Sequence, residues 1–245
     1  MEMDLLHMWA NMNNLVRGVV VVLTLQALFC IYVVVDRIIL LTLSGARSRA
    51  FAAEAGAKLE RGDYEAALSI SKKHDKSHLA QFIAIGVSTF LDRRGTGHSA
   101  HKAAEFTQRA LERKGENLSD SLNKGLSVLA STGSTAPFIG LLGTVLGILA
   151  AFKAIGQEAS GGMGTIGPMI SEALIVTGYG LLVAIPAVLV FNWLSGRVGK
   201  YEAGLANAGS ELVDQLEAGV VSTSHSGEVE LEEEAETASA VPSAA

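Results

Sequence analysis

The sequence predicts an all-α membrane protein with three transmembrane helices and a helical cytoplasmic domain, and three observations support this fold class. Apolar residues occupy 49% of the 245 positions, more than a soluble domain of this size needs. They concentrate in three runs, each reaching the length of about 18 residues that a spanning helix requires. The 19 Lys and Arg residues lie mostly between the first run and the second.

The three apolar runs define the predicted transmembrane helices. Span one covers residues 18–43, span two covers residues 128–155 and span three covers residues 168–195. In span one, apolar residues resume after Asp36 and Arg37, so its helix is expected to continue beyond the membrane interface. A Gly-rich turn, residues 156–167, joins the last two spans, and Pro168 suits the first turn of the third helix.

The distribution of cations predicts the topology. Fifteen of the 19 Lys and Arg residues lie between positions 36 and 125, whereas the Gly-rich turn contains none. Segments rich in Lys and Arg stay in the cytoplasm. We therefore expect residues 1–17 and the turn to be periplasmic, and residues 44–127 and the C-terminus to be cytoplasmic. No cation precedes Arg17, so no cleaved signal peptide is expected.

The segments outside the spans are predicted to be helical, except at the C-terminus. Within residues 44–127, Asp63 is placed as the N-cap of one helix, and the apolar residues 79–91 are too few to span a bilayer and predict a helix buried in this domain. Residues 196–219 predict an amphipathic helix that packs on neighbouring chains. Its apolar residues are Leu205, Ala208, Leu212 and Leu216. Residues 220–245 are rich in Ser, Glu and Ala and predict a disordered acidic tail.

One face of span two and one face of span three carry small residues. Read at alternating steps of three and four residues, the two faces contain Gly140, Thr144 and Gly147, and Ala173, Thr177, Gly180 and Ala184. Small residues let membrane helices approach closely, so helix packing is one interpretation. Each face also contains a threonine near the middle of its span, which suggests a polar pathway, although a single threonine in a span usually bonds to its own helix.

Glu172 lies beside the small face of span three. A charged side chain in the hydrocarbon costs about 2.5–3.5 kcal/mol and usually has a function. Its position shortly after Gly167 places it near the outer interface, where the cost is smaller. The structural alternative is a hydrogen bond between subunits, and the functional interpretation is proton exchange.

Three segments resemble the MotA/TolQ/ExbB proton-channel family. They are APFIGLLGTVLGI at residues 136–148, SEALIVT at residues 171–177 and AIPA at residues 184–187. The resemblance covers spans two and three, and three spans in 245 residues are similar to the ExbB and TolQ branch. It implies a homopentamer around two helices of a smaller, single-span ExbD/TolR/MotB-like partner that carries the proton-accepting Asp. The chain departs from the family pattern at Gly178 and Tyr179, which affects subunit packing more than conduction.

The resemblance also implies the roles of individual residues. Thr144 and Thr177 would face the partner's Asp in the pore, and Glu172 would match a pore-side glutamate. The small residues expected to face the pore are Gly140, Gly147, Ala173, Gly180 and Ala184. With protons as the coupling ion and no other cofactor, the pentamer would convert the proton motive force into rotation at the bacterial inner membrane. The work would be outer-membrane transport, envelope maintenance or gliding motility.

Other function classes lack support in the sequence. The single cysteine, Cys30, excludes an intrachain disulfide and a cysteine-based metal site. His74 and His78 lack a third ligand and are expected to be exposed, and Gly95 with Gly97 lacks the strand and third glycine of a nucleotide loop. We therefore expect neither an enzyme nor a nucleic-acid-binding protein. The remaining alternative is a non-conducting membrane scaffold packed through the small-residue faces.

Overall fold

The computed structural model describes residue 9, residues 12–157 and residues 163–239, with side chains for residues 9, 12–156 and 166–218. Within these ranges the chain forms six α-helices and no strand, which confirms the all-α prediction. The helices are α1 (Asn14–Glu60), α2 (Tyr64–Lys73), α3 (His78–Gly95), α4 (Ala100–Asn123), α5 (Leu126–Gln157) and α6 (Met163–Ser239).

Helices α1, α5 and α6 are long and apolar enough to cross a membrane, judged by length and composition, as the three predicted spans require. Helix α1 continues without a break past Asp36 and Arg37 to Glu60. Helix α6 begins at Met163, ahead of Pro168. Part of the predicted turn, residues 158–162, lies outside the described residues.

The chain divides into two compact units. The span unit comprises residues 1–39 and 123–198, and the bundle unit comprises residues 40–122 and 199–245. Among the described residues, every exposed large apolar side chain except Leu43 belongs to the span unit. An apolar surface of this extent is typical of helices that face lipid or another protein.

The core of the span unit joins its three long helices. Val16, Val19 and Leu23 recur at steps of three and four residues on α1, so they lie on one face of that helix. They pack in one buried cluster with Ala136 of α5 and Val176 of α6, together with neighbouring apolar side chains. Hydrophobic contacts therefore hold span one against the other two.

Two polar contacts add to this packing. The hydroxyl of Thr24 donates to the carbonyl oxygen of Val20 at 2.8 Å, so at 3.1 Å it accepts a hydrogen bond from the hydroxyl of Tyr179. Gln26 Nε2 donates to Thr135 Oγ1 at 3.4 Å. Tyr179, at the position where the sequence departs from the family pattern, thus joins span three to span one within the chain.

The bundle unit confirms two local predictions and overturns a third. Asp63 is the N-cap of α2 and accepts from the backbone N–H of Ala66 at 3.2 Å. Helix α3 buries most of one face, which confirms the helix predicted from the apolar residues 79–91 to be buried in this domain. The expectation that the apolar face of residues 196–219 packs on neighbouring chains is wrong. Leu205, Leu212 and Leu216 are 6%, 2% and 0% exposed in the single chain, because this face is covered within the bundle unit.

His78 takes part in a polar network of the bundle unit. The hydroxyl of Ser44 contacts His78 Nδ1 at 2.7 Å and the hydroxyl of Tyr201 at 2.9 Å, and Ser44 is buried. Burial lowers the pKa of His78, and the nearby cations Lys114 and Arg47 lower it further. The sequence-based expectation of an exposed residue is therefore wrong for His78, which is half-buried and hydrogen-bonded.

The C-terminal prediction concerns residues whose side chains are largely undescribed. The backbone of α6 is helical as far as Ser239, but no side chain after Ala218 is described, and residues 240–245 lie outside the described residues. The disordered acidic tail at residues 220–245 stays a prediction.

Candidate functional site

Helices α5 and α6 run antiparallel and meet through their small-residue faces. A Cβ placed on Gly147 would lie 2.6 Å from the Cβ of Ala173, and one placed on Gly180 would lie 2.7 Å from the carbonyl oxygen of Ala136. Real Cβ atoms are not found this close to other heavy atoms, so glycine is required at both positions for the helices to approach this far.

All five small residues predicted to face a pore are buried within the single chain. They are Gly140, Gly147, Ala173, Gly180 and Ala184. The first four lie where α5 and α6 touch, and Ala184 lies in the core cluster of the span unit. This placement supports close helix packing as one role of the small faces, and a second role toward a pore stays a prediction.

The two threonines of these faces meet across the helix contact. The hydroxyl of Thr177 donates to the carbonyl oxygen of Gly140 at 2.9 Å, and its oxygen lies 3.4 Å from Thr144 Oγ1. The hydroxyl of Thr144 donates to the carbonyl oxygen of Leu141 in its own helix at 2.7 Å. We call Thr144, Thr177 and Gly140 the threonine contact. Thr144 is 7% exposed and Thr177 is partly exposed.

The hydrogen-bonding capacity of the threonine contact follows from this geometry. A hydroxyl has one proton to donate and two lone pairs that accept. Both threonine protons are already donated to backbone carbonyl oxygens. Thr144 and Thr177 can therefore offer another molecule mainly lone pairs that accept hydrogen bonds. A neutral acid or a water molecule can donate to these lone pairs, whereas an anion cannot.

Glu172 lies beside Ala173 on α6 and is partly buried. It is five residues before Thr177, which corresponds to about 7.5 Å along the helix axis. No hydrogen bond or ion pair joins Glu172 to another residue whose side chain is described. The structure therefore brings the two threonines together and leaves Glu172 as a separate acid closer to the start of α6.

Two further glycines belong to the same contact: Gly133, which the sequence places on the small face of span two, and Gly143, which the sequence did not indicate. A Cβ on Gly143 would lie 2.5 Å from Val176 Cγ1 and 3.2 Å from Val19 Cγ1, and one on Gly133 would lie 2.4 Å from Val188 Cγ2. At Gly143 side chains of both other long helices, Val19 of α1 and Val176 of α6, come close to α5. The spacing of Gly140, Gly143 and Gly147, at steps of three and four residues, was the signal that could have identified it.

The described residues do not form a metal site. No group of three or more His, Cys, Asp and Glu side chains that could hold an ion is found among them. His74 is half-buried and contacts Glu54 through Nε2 at 2.9 Å, so the expectation that it would be exposed is also wrong.

Comparison with known proteins identifies the family. Residues 74–206 match the MotA/TolQ/ExbB proton channel family. The biopolymer transport protein ExbB of Xanthomonas campestris pv. campestris is 46% identical over 101 residues, which cover 41% of this chain and 40% of the relative. The ExbB of Neisseria gonorrhoeae is 52% identical over 71 residues, covering 29% and 32%. The Tol-Pal system protein TolQ of Haemophilus influenzae is 28% identical over 207 residues, covering 84% and 90%.

The chain therefore spans about two fifths of the length of the Xanthomonas ExbB that it matches. The ExbB and TolQ relatives support the ExbB/TolQ-like branch that the sequence motifs predicted. The matched region covers more than half of the chain and contains α5, the first part of α6 and the threonine contact. The chain belongs to the MotA/TolQ/ExbB proton channel family.

Proposed function

We propose that this chain is the proton-conducting stator subunit of an envelope motor. As a homopentamer in the bacterial inner membrane, it surrounds a single-span ExbD/TolR/MotB-like partner and uses the proton motive force to drive rotation and mechanical work on the envelope. Family membership supports the class of function. The observation that carries the proposal is the threonine contact, which places two hydroxyl acceptors together at the crossing of two apolar helices.

The threonine contact favours the protonated form of the partner's acid. A protonated carboxyl group has one O–H to donate, and Thr144 and Thr177 have lone pairs to accept it. A carboxylate would need donors instead, and both threonine protons are engaged with Leu141 and Gly140. The acid therefore passes this part of the pore as a neutral group, which lowers the cost of moving it through a medium of low dielectric constant.

Glu172 serves as the outer group of the same pathway. It stands nearer the start of α6 than Thr177 does, on the side that the distribution of cations assigns to the periplasm. A carboxylate there attracts protons from the periplasmic side toward the threonine contact. Each proton that crosses 100 mV releases about 2.3 kcal/mol, so several protons for each turn supply the mechanical work.

Proton flux through liposomes containing the chain and its partner tests this proposal. Thr177→Val keeps the shape of the side chain but removes the acceptor. Losing one hydrogen bond of about 1.4 kcal/mol should reduce flux by about tenfold, whereas Thr177→Ser keeps the hydroxyl and should retain most of the flux. Thr144→Ala and Glu172→Gln should also reduce flux. Ser134→Ala is the control, because Ser134 lies on α5 outside the threonine contact and its hydroxyl donates to the carbonyl oxygen of Ser131 in the same helix. Undiminished flux in the Thr177, Thr144 and Glu172 variants would exclude the assigned pathway.

A non-conducting scaffold is the second candidate, because the glycine faces of α5 and α6 are used for packing within the chain. A scaffold predicts assembly with the partner but no flux above that of liposomes without protein. Native mass measurement tests the assembly independently, since the absence of a pentamer would exclude the ring. The neighbouring genes, above all the periplasmic domain of the partner, decide between outer-membrane transport, Tol-type maintenance and gliding motility.

A further inference from the structure

A buried chain of polar side chains joins three helices of the bundle unit. The hydroxyl of Tyr201, on α6, lies 2.9 Å from that of Ser44 and 3.0 Å from that of Ser48, both on α1. Ser44 also contacts His78 Nδ1 at the start of α3, and Ser48 lies 3.3 Å from the hydroxyl of Ser77, the N-cap of α3. The three serines are at most 8% exposed, so a hydroxyl that loses its contact here has little access to water. We call these five residues the His78 network.

The hydroxyl proton of Ser77 fixes the direction of these hydrogen bonds. The oxygen of Ser77 already accepts from a backbone N–H of α3 at 3.2 Å, and Ser77 is 1% exposed. Among the residues that the structure describes, Ser48 is the one contact that can accept the proton of Ser77. Each hydroxyl has a single proton, so Ser48 in turn donates to Tyr201 and Tyr201 donates to Ser44. Ser44 then donates to His78 Nδ1, which requires a neutral ring with its proton on Nε2.

A second proton on the ring of His78 conflicts with this arrangement. A proton on Nδ1 would face the proton that Ser44 donates, so either their contact breaks or every hydroxyl of the network reverses. Reversal leaves the proton of Ser77 buried without an acceptor, which is unfavourable. The network is therefore complete with a neutral ring and incomplete with a charged one.

The charged groups around His78 also disfavour a charged ring. Burial lowers the pKa of His78, as do the cations Lys114 on α4 and Arg47 on α1. Further charged groups on the neighbouring elements are Glu202, which lines a groove beside α4, the pair of His74 with Glu54, and the exposed side chains Arg49, Lys72, Lys73, Asp75, Lys76 and Lys200.

We propose that the His78 network is a pH-sensitive lock that holds the start of α3 against α1 and α6 while the ring of His78 is neutral. Protonation of the ring releases the lock. Helices α1 and α6 continue without a break from spans one and three into the bundle unit, so the lock joins them near the boundary between the two units. Acid in the compartment that contains the bundle unit, predicted to be the cytoplasm, would open it. This response goes beyond the proposed function and does not depend on proton conduction.

Hydrogen exchange of the full chain in nanodiscs tests the lock. Mass spectrometry follows peptides from the start of α3, residues 78–86, at about pH 7.5 and about pH 5.5. Each rate is divided by the intrinsic rate of an unfolded peptide at the same pH. Because the opened form binds the proton with the ordinary histidine pKa of about 6.5, the normalised exchange should rise by about three- to tenfold in acid. Peptides of α2 should show no such rise.

Three variants connect the response to the His78 network. His78→Gln keeps an oxygen that can accept from Ser44 but takes up no proton, so exchange at the start of α3 should be equal at both pH values. His101→Gln is the matched control, because it removes an exposed histidine from the same bundle unit, and it should keep the rise. Ser44→Ala removes the proton that opposes protonation of Nδ1, so it should speed exchange at the higher pH and reduce the rise in acid.

The pH profile decides between a lock and a histidine with only a structural role. The proposal is overturned if exchange at the start of α3 is equal at both pH values in the unaltered chain, or if His78→Gln keeps the rise. It is also overturned if His101→Gln abolishes the rise. An equal rise in α2 and α4 would overturn it too, because acid would then loosen the whole bundle unit. The measurement needs neither the partner nor proton flux, so a failure of the proposed function leaves its result unchanged.

Discussion

Replacing Gly180 by alanine tests how closely α5 and α6 must approach. The new Cβ would lie 2.7 Å from the carbonyl oxygen of Ala136 and 3.0 Å from the Cα of Gly140, both in the backbone of α5. A carbon and a carbonyl oxygen usually approach to about 3.3 Å at closest, so the helices must separate by about 0.6 Å. A gap of this size removes roughly a quarter to a half of the dispersion energy of the contacts involved.

We expect Gly180→Ala to destabilise the span unit by about 1–3 kcal/mol, the usual effect of one extra methyl group in a packed contact. Gly178→Ala is the matched control, because nothing lies within 4 Å of a Cβ at that position two residues away. It should be neutral or slightly stabilising, since alanine favours the helix by up to about 1 kcal/mol. Unfolding in mixed micelles by added dodecyl sulfate, followed by circular dichroism, gives both values. If the two variants unfold at the same detergent fraction, Gly180 is not required for the close approach of α5 and α6.

Three further changes test other parts of the structure. Burial and two cations lower the pKa of His78 below the unfolded value of about 6.5, so the unfolded chain binds the proton first as the pH falls. The stability of the folded chain should therefore decrease below a pH of about 6.5. His78→Gln should make the unfolding midpoint less dependent on pH. Tyr179→Phe removes one hydrogen bond between spans and should lower the free energy of unfolding by about 0.6 kcal/mol in the same detergent titration. A free energy of unfolding equal to that of the wild type would show that the bond contributes nothing to stability. Asp63→Ala should destabilise the start of α2 by about 1 kcal/mol and speed hydrogen exchange at the backbone N–H of Ala66, whereas Asp63→Asn keeps the cap. Equal exchange rates in the two variants would contradict the capping role of Asp63.

The features of the fold that the sequence predicted are those governed by local physical rules. Helix length and apolar composition predicted three spans, and the side chain of Asp63 predicted a cap, because both depend on residues close together in the chain. The packing of Leu212 could not be predicted in this way. An amphipathic face shows that a helix is covered on one side but does not identify the cover, which here is the bundle unit of the same chain.

The candidate site shows the same limit. The sequence placed Thr144 and Thr177 on small faces of two helices, but not the register between those helices. Sliding one helix along the other by one turn would displace the two hydroxyls by about 5.4 Å along the helix axis. Their contact at 3.4 Å therefore depends on the glycines that determine where the helices touch. The sequence also did not indicate that Tyr179 bonds to Thr24, because no local pattern links positions on spans one and three.

On the proposed function, packing and proton conduction are coupled at the threonine contact. Thr177 reaches the carbonyl oxygen of Gly140 at 2.9 Å because Gly140 has no side chain, and a Cβ there would lie 3.2 Å from the Cα of Thr177. Separating the helices by about 0.6 Å would lengthen this hydrogen bond to about 3.5 Å, which weakens it and lets the hydroxyl proton of Thr177 turn to another acceptor. The hydroxyl would then donate as well as accept and would no longer favour a neutral acid. Gly180→Ala, which keeps both threonines, should therefore reduce proton flux along with stability, whereas a scaffold packed through the same faces would lose stability alone.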